Sequence, residues 1–104
     1  MTQYLEYGFK DRVAIVTGGG TGIGRSVATE FAKGGAKVAV FGRRADPLEE
    51  AKKEIELHTD SKNILALSVD VSNKSSVEDG VAEVNKLFGK IDILGNNAGI
   101  ELPV

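Results

Sequence analysis

Thr17-Gly18-Gly19-Gly20-Thr21-Gly22-Ile23-Gly24 places five glycines in eight positions. The run lies between an apolar stretch at 13–16 and a stretch of helical spacing. A strand-to-helix turn with so little side chain lets the backbone approach a phosphate closely. The helix start adds unpaired N–H groups and a partial positive charge. Three other groups are candidates for polar chemistry: Arg43-Arg44, Asp70-Val71 and Asn96-Asn97-Ala98-Gly99. The spacing G-x-G-x-x-G does not fit the glycine run in any register. The P-loop spacing fits from Gly19 to Gly24, but Arg25-Ser26 follows where that loop needs lysine. A flat guanidinium is a poor substitute for a compact ammonium in a phosphate nest. A glycine-rich tight turn without a ligand is the plainer alternative, at the expense of backbone entropy.

The elements that must hold these groups follow from apolar spacing. Residues 13–16, 38–41 and 64–69 are short apolar runs, and a fourth begins at 91–94. Such runs read as strands buried on both faces. Between them, Ile23, Val27, Ala28, Phe31 and Ala32 form one helical stripe, closed by Gly34-Gly35. Leu48, Ala51 and Ile55 form a second, with Asp46 as its expected N-cap, Pro47 at the first helical position and Glu49 three residues after the cap. Val77, Val81, Val84 and Phe88 form a third, closed by Gly89. The order βαβαβαβ predicts an α/β fold with a parallel sheet and right-handed crossovers. Ligands on such sheets bind beyond the carboxyl ends of the strands. All four polar groups fall at predicted carboxyl ends.

Composition narrows the function classes. The 104 residues make one domain, and a net charge of −2 with scattered Lys and Arg gives no nucleic-acid or polybasic footprint. The absence of cysteine excludes disulfides and thiolate metal sites and agrees with a cytoplasmic location. No metal site is expected. No apolar run approaches membrane-spanning length, and the first seven residues do not read as a signal peptide. His58 reads as a surface residue. Glu49, Glu50, Lys52, Lys53, Glu54 and Glu56 read as a solvated helix face with spaced charge pairs.

The pattern T-G-x-x-x-G-I-G, present as Thr17-Gly18 and Gly22-Ile23-Gly24, together with "FKDRVAIVTGG", Asp70-Val71 and "NNAG" at 96–99, resembles the short-chain dehydrogenase/reductase family over nearly all of the chain. The resemblance is nearest to the group with β-ketoacyl carrier-protein reductases and sugar or steroid dehydrogenases. It implies a Rossmann-type sheet in strand order 3-2-1-4. It also implies a dinucleotide held by Gly18, Gly20, Thr21, Gly22, Ile23 and Gly24. The Asp70 side chain would accept from the adenine amino group and the Val71 N–H would donate to the ring. Asn97, Ala98 and Gly99 would lie along the ribose towards the nicotinamide. Other readings of these residues are a helix-capping role for Asp70 and strand-tying amides at Asn96-Asn97.

An NAD site usually carries a carboxylate at the end of the second strand. Gly42 stands there, followed by Arg43-Arg44, which suits the 2′-phosphate of NADP. NADP(H) is therefore the expected cofactor, with NAD(H) the alternative. NADP-preferring members often have a second basic residue where Thr21 stands here. Two solvated arginines are the plainer reading.

Hydride transfer in the family uses a serine and a Y-x-x-x-K pair downstream of "NNAG". Tyr4 and Tyr7 are followed four places on by Gly8 and Asp11, so no catalytic residue carries over. The expectation is a truncated NAD(P)-binding domain over 1–104: half of a reductase acting on a small or carrier-bound carbonyl. A non-catalytic binding or assembly half-domain and an inert truncated product are the alternatives. Gly95 replaces the usual apolar residue, which predicts a weakened strand, a bulge or a close backbone approach. With strand four at an edge, self-association there is expected.

Overall fold

The computed structural model describes residues 9–18, 22–59 and 63–96. Seven elements alternate: β1 (Val13–Thr17), α1 (Gly22–Lys33), β2 (Lys37–Gly42), α2 (Ala45–His58), β3 (Ile64–Ser68), α3 (Lys74–Phe88) and β4 (Ile93–Asn96). All strand pairs are parallel, and the sheet order is β3-β2-β1-β4. This is the predicted order. Every residue of β1 and the inner four of β2 are buried, as central parallel strands require. In β3, at one edge, only Ile64 is buried.

The alternation of each strand divides the core into two faces. Val16, Val38 and Val40 meet Ala28 and Ala32 of α1 and Leu48 and Ile55 of α2. Val13, Ile15, Ala39 and Phe41 point to the other face and cluster with Val69 and with Val84 of α3. Here α3 passes close to the sheet at Gly80. A Cβ on Gly80 would lie 2.7 Å from Val69 Cγ2 and 3.1 Å from the Phe41 ring.

Helix ends follow local chemistry. The Ala36 N–H donates to Phe31 O and the Gly35 N–H to Ala32 O, with Gly35 at φ +99°. This paired arrangement needs a left-handed residue, which glycine supplies. Asn73 caps α3 by accepting from the Ser76 N–H. Gly89 ends it in the left-handed region.

Four sequence expectations change. Helix α2 starts at Ala45 with Arg44 as its cap residue, and no side chain caps it. Asp46 instead sits in the first turn, where its charge suits the helix dipole, and Pro47 still falls among the positions whose N–H groups lack helical partners. Ile23 leaves the α1 stripe and is 75% exposed, while Gly24 is buried. The α2 charges make no ion pair with one another among the described residues; Glu54 pairs across to Arg25 of α1. Strand β4 continues in register through Gly95, which sits opposite Val16, so the chain there stays extended. His58 is exposed at the end of α2, as expected.

Candidate nucleotide-binding site

Register brings the strand ends level. Thr17 lies opposite Phe41 on one side and Asn96 on the other, and Gly42 lies opposite Ser68. Backbone bonds continue past the strands: the Gly18 N–H donates to Phe41 O at 2.8 Å and the Val69 N–H to Gly42 O at 2.7 Å. The Thr17 hydroxyl donates to Gly95 O at 3.4 Å and ties β1 to β4 at the same level. Residues 18, 22–24, 42–44 and 69–71 thus share one edge of the sheet.

At the centre of that edge, Gly18 has φ +67° and Gly22 φ +55°. L side chains rarely adopt either value. Nothing lies within 4 Å of a Cβ built on Gly22, and the first turn of α1 carries no acidic residue. Among the described residues the positive end of α1 therefore meets no competing carboxylate, and its exposed backbone suits a diphosphate. Arg25, at the place of the P-loop lysine, puts Nη1 2.9 Å from Glu54 Oε2. That contact braces α1 against α2. Gly20, Thr21, Asn97, Ala98 and Gly99 lie outside the described residues.

Arg43 and Arg44 are exposed, and neither joins an ion pair among the described residues. The Ser68 hydroxyl donates to Arg43 O at 3.0 Å and fixes the loop to the end of β3. The space a side chain at Gly42 would enter is lined by Leu48, whose Cδ2 would be 3.0 Å from the added Cβ.

Asp70 lies beyond β3 in a turn closed by the Asn73 N–H donating to Asp70 O. It does not cap α3; Asn73 does. Asp70 Oδ1 accepts from the Ser72 N–H at 3.0 Å and the Ser72 hydroxyl at 2.6 Å. These bonds hold its carboxyl below the usual carboxylate value; desolvation opposes them, and the Arg43 charge adds to the lowering. The Val71 N–H has no acceptor among the described residues. Among the described residues, Asp70 Oδ2 and the Val71 N–H are thereby an unengaged acceptor and donor on adjacent residues.

Sequence reasoning passed over Asp92. Its Oδ2 accepts from the Val13 N–H at 2.9 Å, while its own N–H donates to Val13 O. That exchange joins β4 to the foot of β1, and it explains why the strand begins at Ile93 and not at Ile91. An acid within the apolar run at 91–94 was the available signal. Asn73 and Ser76 were also missed, although N-x-x-S before an apolar stripe is a capping pattern.

A parallel sheet in order 3-2-1-4, with a glycine turn opening a helix at its carboxyl edge, defines a Rossmann-type nucleotide-binding fold. The family model for short chain dehydrogenase matches residues 12–104. The NAD-dependent glycerol dehydrogenase of Listeria innocua is 37% identical over 97 residues, covering 93% of this chain and 36% of that protein. The L-sorbose reductase of Gluconobacter frateurii, solved with NADPH and L-sorbose, superposes with a TM-score of 0.84 at 37% identity, over 90% of this chain and 35% of the other. The 3-ketoacyl-(acyl-carrier-protein) reductase of Brucella melitensis, complexed with NADH, gives 0.75 at 37% identity, over 83% and 33%. The chain belongs to the short-chain dehydrogenase family. It spans about a third of the length of the curated relatives it matches. These relatives include polyol, sugar and ketoacyl enzymes and do not single out the carrier-protein reductases. Among the described residues no helix is long and apolar enough to cross a membrane.

Proposed function

We propose that this chain is the NADP(H)-binding part of a reductase that moves hydride between NADPH and the carbonyl of a small or carrier-bound substrate. The observation that carries the cofactor choice is Arg43. It follows directly on β2, is held at its carbonyl by Ser68, and has no competing carboxylate at Gly42. A guanidinium there is free to pair with a 2′-phosphate through parallel hydrogen bonds, whereas a carboxylate would repel it. The turn from Gly18 to Gly24 would take the diphosphate, Arg44 would add to the basic rim, and Asp70 with Val71 would take the adenine. Asn97, Ala98 and Gly99 would take the ribose and nicotinamide end.

The chain contains no Y-x-x-x-K, so its own share of the reaction is binding and orientation, not proton transfer. A cytoplasmic setting agrees with the absence of cysteine. Self-association through β4 belongs to the same reading: β4 pairs with β1 alone among the described strands, and Leu94 is 65% exposed. Sedimentation over a range of concentrations tests it, and a monomer throughout would refute it.

Titration of the purified chain with NADPH and NADH tests the cofactor choice. NADPH binding tighter by about tenfold is expected, the worth of one charge-assisted contact. Equal affinities would overturn the choice of NADP, and no binding of either would overturn the nucleotide reading.

A further inference from the structure

The turn at 70–73 uses almost every polar atom of Asp70. Its N–H donates to Ser76 Oγ at 2.8 Å, its carbonyl accepts from the Asn73 N–H at 2.9 Å, and its Oδ1 accepts twice from Ser72. Ser76 is held in turn, since its N–H donates to Asn73 Oδ1 at 3.1 Å. Among the described residues, Oδ2 of Asp70 and the neighbouring Val71 N–H have no hydrogen-bond partner. An acceptor beside a donor matches the amidine edge of adenine, whose amino group donates and whose ring nitrogen accepts. Hypoxanthine presents the reverse order.

We propose that Ser72 is a positioning residue for base recognition: by binding Oδ1 through both its N–H and its hydroxyl, it turns Asp70 so that Oδ2 alone faces the base. The proposal rests on the reading that the adenine of a dinucleotide lies at Asp70. A carboxylate on a surface turn otherwise rotates about its own side-chain torsions, and its two oxygens exchange. The 2.6 Å bond from the Ser72 hydroxyl is short enough to be charge-assisted, and it is the leading cause of the lowered Asp70 pKa. Holding a contact group in one rotamer lessens the ordering that a ligand must impose. Ser72 never touches the base in this scheme, so its effect falls on discrimination between bases.

The test uses the chain with 5′-AMP and 5′-IMP as probes, followed by amide NMR shifts at Asp70 and Val71. The unaltered chain is expected to bind AMP more tightly than IMP. Ser72→Ala should reduce that ratio by about fivefold, less than the full worth of a hydrogen bond to a charged group because Ser72 acts through Asp70. Ser72→Thr keeps the hydroxyl and should restore the ratio. The Asp70 carboxyl should titrate nearer to 3.8 in Ser72→Ala than in the parent chain. An AMP-to-IMP ratio unchanged in Ser72→Ala overturns the proposal, whatever the titration shows. A parent chain in which neither nucleotide moves the Asp70 and Val71 signals overturns the dinucleotide reading and this proposal with it; that outcome is distinct because no variant is needed to see it.

Discussion

Gly80→Ala adds one methyl group where α3 crosses the sheet, and its effect can be worked from the contacts. The new Cβ would stand 2.7 Å from Val69 Cγ2 and 3.1 and 3.2 Å from two carbons of the Phe41 ring. Carbon pairs are most stable about 3.5–4.0 Å apart, so roughly 1 Å must be found. Phe41 is 1% exposed and cannot swing out, and Val69 is β-branched and stiff. The helix must therefore lift. Overpacking of this kind costs about 1–3 kcal/mol, while alanine in place of a helical glycine returns about 1 kcal/mol. The lack of give on both neighbours favours the upper part of that range, leaving a net loss of about 1–2 kcal/mol. For a chain of this size that lowers Tm by roughly 4–8 °C per kcal/mol. Thermal unfolding followed by circular dichroism, at one concentration and without nucleotide, measures it. Val69→Ala removes the atom that the new methyl would strike, so the double variant should recover about 1 kcal/mol against the sum of the singles. A Gly80→Ala chain that melts at or above the parent temperature, or a cycle with no coupling, would refute the tight crossing. Because Val69 precedes Asp70, the same lift should also weaken AMP binding.

The other expectations concern the rim of the site and the foot of β1. Arg43→Ala should weaken NADPH binding by about tenfold and leave NADH nearly unchanged, and the difference should shrink in high salt; isothermal titration at two ionic strengths checks both. Asp92 has a carboxyl held below 3.8, first by the Val13 N–H and then by Lys90 and Arg12, against desolvation. Its folded value is lower than its unfolded one, so its stabilisation is complete above the unfolded value and disappears as pH falls through the folded one. Asp92→Asn should therefore melt below the parent chain at neutral pH, and the gap should close on acidification below 3.8; parallel melting curves across pH would show it. Gly35→Ala should lose about 1–2 kcal/mol, since φ is +99° and the added Cβ would meet Lys10 Cα at 3.2 Å; chemical denaturation gives the value.

The fold was legible because its signals are periodic. Val13 to Val16 and Val38 to Phe41 are continuous apolar runs, and only a strand covered on both faces needs one. Gly35 and Gly89 ended their helices where sequence placed the stops, because each takes up a left-handed backbone that few other residues tolerate. What escaped depends on partners distant along the chain. Asp92 serves a strand 79 residues away, a relation that no local window holds. Ile23 matched the spacing of the α1 stripe, yet it lies in the first turn and is exposed. Asp46 had the right chemistry for a cap, but the helix began one residue before it, and the cap position fell to Arg44. Gly80 sits within the stripe of Val77, Val81 and Val84, and its role was invisible until Val69 and Phe41 were seen beneath it.

The candidate site was legible for a different reason. Its central part is backbone, and backbone geometry leaves a mark in the sequence as missing side chains: Gly18, Gly22 and Gly24 at one junction. The turn at Asp70 is the reverse case, since Asp70 could be named from the chain but its orientation could not. That depends on which of several nearby hydroxyls reaches it, and Ser72 and Ser76 are equally plausible partners in one dimension. The structure divides them, giving Ser72 the carboxylate and Ser76 the backbone N–H. On the proposed reading, a level row of parallel strand ends would supply the place, glycine would supply access to it, and a small polar turn outside any regular element would set which oxygen meets the base. On the same reading, selectivity should be easier to alter at 43 and 72 than at Gly18 and Gly22, where a side chain would first strain a backbone at positive φ.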